Sequence, residues 1–519
     1  MKINNYLVWW LHSNSSIRDN CGIALAHSLE DAYLMAYHQN HRGQDTAGIA
    51  YMNPRNGIYV VRWHGKVNSF DLRDLTGIFR QFGGGNSNGM YTSHVKYTTV
   101  GSKDSMAVLE AAHPHYIGDV KNYYRGSHLI TVGPRKTMVH NGTVVNEQNV
   151  RRVVSDLKLK TDCDTESLLA YCDRFGVEDA IRNIHAAYSA IIQNSENHTA
   201  TVIRDRYGIR PLWRGVKNGK TIIASEDSAI RRIGGIQEEE VMPGSMITIY
   251  PDGTFDSKQV VDPDPHPSIF EWIYIMDYDS SFYGRLVRDV HVDLGKQLYR
   301  EFGSQMPRDV TVTHVPHRPE IAARVFAEEG GFEYRPLLYK VSDERAFLQL
   351  TQDQREGSIR RNLYIDPIHA CSISGRKVVV IDDSIVRGTN APYAIELIRN
   401  EGAEWIGFLS CASMLGGEIP VNGLKKSDET MCTACFTGRE PIPTKFLSES
   451  ELYLTGNGMR RIGCNYGVAM PPSDTFATIK WGRDVEKIRQ NIGADFLGYM
   501  SLEGMVDCVR PAIPAPSAP

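Results

Sequence analysis

The run Val378–Val379–Val380–Ile381–Asp382–Asp383–Ser384–Ile385–Val386–Arg387–Gly388–Thr389 holds the densest chemistry in this sequence. Four β-branched residues predict a buried parallel strand that ends in two adjacent carboxylates. A loop carrying Ser384, Arg387, Gly388 and Thr389 then leads into a helix N-terminus. Unpaired N–H groups and the positive end of the helix dipole suit a phosphate there. Gly388 lets the backbone approach closely, and Ser384 and Thr389 add hydroxyl donors. Two carboxylates beside a phosphate repel it unless they grip ribose hydroxyls or share Mg²⁺. An acidic strand end alone also reads as simple solvation. The whole pattern of strand, paired carboxylates, loop and helix end separates the two readings in favour of a phosphorylated ligand.

A second group lies near the N-terminus. Cys21–Gly22–Ile23 is followed by His41–Arg42–Gly43–Gln44–Asp45–Thr46–Ala47–Gly48–Ile49. A lone cysteine reads as a small buried residue, and Asn141–Gly142 alone reads as a turn. Together with His94–Val95–Lys96–Tyr97–Thr98–Thr99, His140–Asn141–Gly142, Asp164–Thr165–Glu166, Arg204–Leu212 and Gly493–Ala494–Asp495, they resemble the class II, N-terminal-nucleophile glutamine amidotransferases. With the loop at Asp382–Asp383, the resemblance narrows to the glutamine phosphoribosylpyrophosphate amidotransferases and runs from Cys21 to about Val509. It implies that glutamine is hydrolysed at Cys21 and that the ammonia is transferred to phosphoribosyl pyrophosphate. The products would be 5-phosphoribosylamine, glutamate and pyrophosphate, in the entry step of purine synthesis. A thiol of pKa ~8.5 can be deprotonated by its own α-amino group, of pKa ~7.7–8.0, if Cys21 is the first residue of the mature protein. Removal of residues 1–20 as a leader is part of that expectation. The resemblance further implies an oxyanion hole made by the Asn141 amide and the Gly142 N–H. It gives Asp164 and Lys96 to glutamine binding, and Asp382, Asp383, Ser384, Arg387, Gly388, Thr389 and Arg345 to phosphoribosyl pyrophosphate. Mg²⁺ at Asp382 and Asp383, purine nucleotide inhibitors and a homo-oligomer are implied as well.

Three departures from the family stand out. Lys96 replaces an arginine that would grip the glutamine carboxylate in a bidentate fork. The family's Val-Pro-Asp-Ser-Gly turn is here Val315–Pro316–His317–Arg318–Pro319, in which Arg318 could meet pyrophosphate directly. Cys432, Cys435 and Cys464 resemble three ligands of a four-cysteine iron–sulfur cluster, but Ser268 stands at the remaining position and the Cys-x-x-Cys pair is displaced in order. A cluster, zinc or free thiols all stay open there. Arg345–Gln352, ending at Arg355, resembles a loop that closes over phosphoribosyl pyrophosphate. Two rivals follow from the altered turn: a paralogue aminating another phosphosugar, and a non-catalytic homologue that binds phosphoribosyl pyrophosphate or nucleotide.

The elements that must position these groups fall into two textures. From residue 21 to 250, short β runs (Gly22–Ala26, Thr46–Tyr51, Thr137–Val139, Ala190–Gln193, Met246–Tyr250) alternate with helical stretches at Ser28–Asn40 and Glu166–Phe175. This texture suggests a layered α+β domain, which the resemblance makes a glutaminase domain with an Ntn-type αββα sandwich. Residues 251–267, with four prolines and four aspartates, read as a linker. From 268 to 509, strands at Val310–Val315, Lys377–Ile381 and Trp405–Ser410 alternate with helices at Pro319–Glu329 and Ala391–Asn400. That order predicts a Rossmann-like parallel sheet, which the resemblance makes a phosphoribosyltransferase domain with a C-terminal extension. Residues 510–519, rich in proline, read as a disordered tail.

Composition bounds the rest. The chain has 519 residues, too many for one core, and a net charge of −4 that argues against nucleic acid or anionic membrane as partner. No apolar run approaches the roughly 18–20 residues needed to span a bilayer. An odd count of nine cysteines excludes full disulfide pairing and points to a reducing, cytoplasmic compartment.

Overall fold

A computed structural model describes residues 21–53, 57–81, 89–96, 105–144, 147–157, 159–184, 186–265, 267–341, 360, 362–386, 388–414, 418–420, 452–454, 459–462, 477, 481 and 484–509. The chain divides into two compact units, residues 1–263 with 469–471, and residues 264–468 with 472–519.

In the first unit, two antiparallel sheets are stacked between helices. The nine-stranded sheet runs in the order Ile236–Glu240, Trp213–Lys217, Lys220–Ala224, Gly22–Ala26, Met90–Lys96, Thr46–Asn53, Gly57–His64, His128–Val132, Lys121–Tyr124. The six-stranded sheet runs Phe255–Gln259, Ser245–Ile249, Thr199–Arg204, Ala187–Asn194, Lys136–Thr143, His115–Ile117. Period-two alternation sorts each strand between two cores. Along Gly22–Ala26, Ile23 and Leu25 join Met90, Val139, Ile191 and Val202 between the sheets. Ala24 and Ala26 face the other way, onto the helices Leu29–His38 and Leu72–Gln81 through Met35, Ala36, Leu75 and Phe79. Ser28 caps the first of these helices by accepting the Asp31 N–H at 3.1 Å, a contact worth about 1 kcal/mol. The helix Asp164–Phe175 covers the six-stranded sheet at His115–Ile117 and Lys136–Thr143. The αββα expectation is met.

The linker expectation fails in its first part. Pro251–Asp252–Gly253–Thr254 is a hairpin turn, with the Asp252 carboxylate accepting the Thr254 N–H at 3.0 Å and its hydroxyl at 2.7 Å. Phe255–Gln259 then pairs antiparallel with Ser245–Ile249 at the sheet edge. The Pro and Asp content that reads as a linker is turn chemistry.

The second unit is a doubly wound parallel sheet, ordered Glu333–Tyr334, Val310–His314, Lys377–Asp382, Trp405–Ser410, Phe496–Tyr499. Val379 and Ile381 pack on one face with the helices Val287–Phe302, Glu320–Gly330 and Leu502–Val509. Val378 and Val380 pack on the other with Asn390–Asn400 and Val485–Ile492. All four side chains are fully buried; at about 1.5–3 kcal/mol each, this strand is among the firmest parts of the fold. From Val310–His314 the chain winds outward to Glu333–Tyr334, whereas from Lys377–Asp382 it winds the opposite way to Trp405–Ser410. The order therefore reverses between Val310–His314 and Lys377–Asp382, which opens a crevice at their C-terminal ends. Among the described residues, no helix is long and apolar enough to cross a membrane.

Candidate active sites

The first constellation grows from the start of the strand Gly22–Ala26. Cys21 is fully buried, and its carbonyl accepts the Arg42 Nε–H at 2.8 Å. Arg42 is itself wholly buried and donates to the Glu226 carboxylate at 2.7 Å, where His41 Nε2 also reaches at 2.7 Å. Burial of such a pair is tolerable only because both ions are matched. The backbone of Cys21 is thus held by an ion pair that sequence reasoning missed; Arg42 sits in the His41–Ile49 motif, but Glu226 carries no local signal.

Register brings the remaining residues to the same layer. Gly22 pairs with Val95, so one residue outward Cys21 lies level with Lys96. Cys21 continues the face of Ile23 and Leu25, and Asn141 shares the face of Val139, all directed between the sheets. The sheets are tied there by His94 Nε2, which donates to the His140 carbonyl at 3.0 Å. Burial holds His94 well below the usual imidazole range, so the ring is a neutral donor.

Asn141 and Gly142 lie within a strand rather than in a turn, opposite Ser189 and Tyr188. Gly142 has φ +152°, and a Cβ there would collide with the Ala187 carbonyl oxygen. Asn141 is fully buried, yet neither polar atom of its amide has a hydrogen-bond partner among the described residues. Buried amides are almost always satisfied, so an orphan of this kind calls for an explanation. Asp164 opens the helix Asp164–Phe175 and accepts the Val144 N–H at 2.8 Å, which fastens that helix to the end of the Asn141 strand. Lys96 is buried, with its Nζ 3.5 Å from Cys163 Sγ. Asp205, in the Arg204–Leu212 segment, accepts the N–H groups of Tyr188 at 3.1 Å and Tyr207 at 2.8 Å and braces the strand opposite Gly142. Burial pushes its pKa up to about 6.

The second constellation occupies the crevice of the parallel sheet. Val315 N–H donates to the Ile381 carbonyl at 2.9 Å and joins the two strand ends. Burial first, and the neighbouring Asp383 second, push Asp382 well above the ordinary carboxylate range. Ser384 Oγ donates to Asp383 at 2.6 Å. The loop is backed by the Ala477 N–H on the Val386 carbonyl at 2.9 Å. Gly388 has φ +67°, and a Cβ there would sit 2.6 Å from the Trp481 ring. Thr389 leads directly into the helix Asn390–Asn400.

Arg318 corrects its expectation. Its guanidinium donates to the Ile275 carbonyl at 2.6 Å and to the Met276 carbonyl, at the end of the helical turn Glu271–Ile275, and it lies over the Tyr278 ring. It serves as a cap for those carbonyls and does not present a free fork to a pyrophosphate. Ser268 is fully buried just before the same turn. Arg345, Arg355, Arg387, Cys432, Cys435, Cys464 and the leader 1–20 lie outside the described residues.

Comparison with known proteins agrees with this geometry. A family described as "Glutamine amidotransferase domain" matches residues 128–232. An amidophosphoribosyltransferase of Methanothermobacter thermautotrophicus is 27% identical, over 95% of this chain and 92% of its own. Amidophosphoribosyltransferase 1, chloroplastic, of Arabidopsis thaliana is 28% identical, over 82% of this chain and 80% of its own. The solved glutamine phosphoribosylpyrophosphate amidotransferase of B. subtilis, complexed with ADP and GMP, superposes with a TM-score of 0.69 at 22% identity, covering 94% of this chain and 92% of that one. In fold, and in sequence over nearly its whole length, this chain is similar to the amidophosphoribosyltransferases.

Proposed function

We propose that this chain is a glutamine-dependent amidophosphoribosyltransferase, forming 5-phosphoribosylamine, glutamate and pyrophosphate in the first step of purine synthesis. The observation that carries this reading is the amide of Asn141, unpartnered among the described residues and, like Cys21, on a strand face that points between the two sheets. A buried donor left open in the free protein suits charge that develops only during reaction.

With its α-amine released by removal of residues 1–20, Cys21 attacks the side-chain carbonyl of glutamine. The oxyanion accepts from Asn141 Nδ2 and the Gly142 N–H, ammonia leaves, and water hydrolyses the thioester to glutamate. Asp164 receives the substrate α-ammonium, and Lys96 its carboxylate as a point charge. In the second unit, the N–H groups and hydroxyls of Ser384–Thr389 bind the phosphate of phosphoribosyl pyrophosphate, and Asp382 and Asp383 hold its ribose hydroxyls. Ammonia attacks the anomeric carbon and pyrophosphate departs.

Magnesium fits the donor set. Two adjacent carboxylates supply hard oxygen ligands, and the upward push on Asp382 is the strain a bound cation relieves. When bound, the ion neutralises negative charge on the pyrophosphate. Purine nucleotides as inhibitors, a homo-oligomeric assembly and a cytoplasmic location belong to the same proposal. No step uses Cys432, Cys435 or Cys464.

The test measures glutamate and pyrophosphate together from glutamine, phosphoribosyl pyrophosphate and Mg²⁺. Stoichiometric release of both is expected. Glutamate without pyrophosphate would sink the transferase half and favour the paralogue that the Val315–Pro319 turn suggests.

A further inference from the structure

The strand His115–Ile117 begins two residues after His113, and the two imidazoles meet the thiol of Cys163, which precedes the helix Asp164–Phe175. One ligand atom from each of these three side chains lies within 4.8 Å of the others. His113 and His115 are almost completely buried, while Cys163 is partly exposed.

The hydrogen bonding around the rings is what distinguishes this cluster from a packed histidine core. His113 Nε2 is engaged with Thr165 Oγ1 at 2.7 Å, and His113 Nδ1 is buried without a partner among the described residues. His115 hydrogen-bonds the backbone of Ala111, and its Nε2 likewise has no partner among the described residues. Each ring therefore has one nitrogen fixed by an outer contact and the other left open, the arrangement that orients imidazole as a metal ligand. Lys96 Nζ, 3.5 Å from Cys163 Sγ, favours the thiolate by charge.

We propose that His113 Nδ1, His115 Nε2 and Cys163 Sγ form a binding site for one zinc-class divalent cation in the first unit. Two imidazoles and one thiolate are borderline-soft donors of the kind zinc takes, and a fourth position stays open to water. Ligand atoms on a tetrahedral zinc with bonds of about 2.0–2.3 Å stand about 3.4–3.8 Å apart, so the cluster closes by roughly 1 Å on binding. The thiol proton passes to solvent as the metal enters. This site is separate from the Asp382–Asp383 pair, whose oxygen donors suit magnesium.

Metal-free full-length protein titrated with Co²⁺ tests the site. One equivalent should give tetrahedral d–d bands and a thiolate-to-cobalt charge-transfer band, and Zn²⁺ should bleach both. Cys163→Ser should remove charge-transfer intensity. Thr165→Val, which frees the outer nitrogen of His113, should weaken zinc binding by about 10–100-fold while keeping the band. A variant-free measurement guards against misfolding: zinc should protect Cys163 of the wild type from alkylation, read by mass spectrometry of its peptide. Equal alkylation of Cys163 with and without zinc would overturn the proposal, and so would unchanged charge-transfer intensity in folded Cys163→Ser.

Discussion

Replacing Asn141 by alanine separates a catalytic amide from a structural one. In the free protein both polar atoms of this side chain are buried and have no partner among the described residues. Holding an amide in that state costs about 1–3 kcal/mol. Truncation removes that penalty but forfeits one or two methylene equivalents of packing, about 1–2 kcal/mol at ~0.8 kcal/mol each. The terms nearly cancel, so the urea midpoint of Asn141→Ala should stay close to that of wild type. Catalysis has no such compensation. Loss of one oxyanion donor is worth about 2.7–4 kcal/mol, so kcat for glutamine hydrolysis should fall about 10²–10³-fold. Glutamate release with both substrates present gives the rate, and synthesis from free ammonia, which bypasses Cys21, is the control and should be unchanged. The reasoning fails if Asn141→Ala loses about 3 kcal/mol of stability, as for a buried structural group, while its folded fraction hydrolyses glutamine at the native rate.

Cys21→Ala should abolish glutamine use and spare ammonia-dependent synthesis, and active wild type should sequence from Cys21; activity in protein that retains residues 1–20 would contradict the amine-assisted mechanism. Asp383→Asn should stop synthesis from either nitrogen source without affecting glutamine hydrolysis at Cys21; a normal rate with ammonia would remove the aspartate pair from the site. Arg318→Ala should lower stability by about 1–3 kcal/mol through lost charged hydrogen bonds to the Ile275 and Met276 carbonyls, and calorimetry should find phosphoribosyl pyrophosphate affinity unaltered. Burial lowers the pKa of His27 and His314 to about 4 and that of His291 to about 3. Because the fold binds fewer protons than the unfolded chain, the stability these groups contribute is complete above the ordinary value of 6.5 and drains away as pH falls towards 4 and 3. Asp205, raised to about 6, acts in the opposite direction, losing its contribution as pH rises from about 4 through 6. The three histidines outnumber it, so denaturant midpoints should drop on acidification below 6.5; a flat profile would show that the rings are not held neutral.

What was legible in the sequence was local. Val378–Ile381 followed by Asp382–Asp383 announces a buried strand and a ligand loop because both signals sit within a few residues, and the structure ends that strand at Asp382. The helical stretch read at Ser28–Asn40 forms as the helix Leu29–His38, capped by Ser28. Long-range partners were not readable: nothing near Arg42 points to Glu226, 184 residues away. Asn141–Gly142 has turn composition but lies in a strand, since pairing with Ala187–Asn194 overrides local preference. Arg318 invited an electrostatic reading, whereas packing turned it onto backbone carbonyls. The His113–His115–Cys163 cluster was invisible because Cys163 lies far along the chain from the two histidines and meets them only through the fold.

The contact from Arg42 to Glu226 also orders events in time. On a ribosome adding about 5–20 residues per second, Glu226 follows Cys21 by roughly 10–40 s. Throughout that interval Arg42 has no buried carboxylate to receive it, and the carbonyl of Cys21 has no fixed anchor. Cys21 is therefore made early and anchored late. A chain broken off before residue 226 keeps Cys21 and Arg42 but lacks the carboxylate that fixes them.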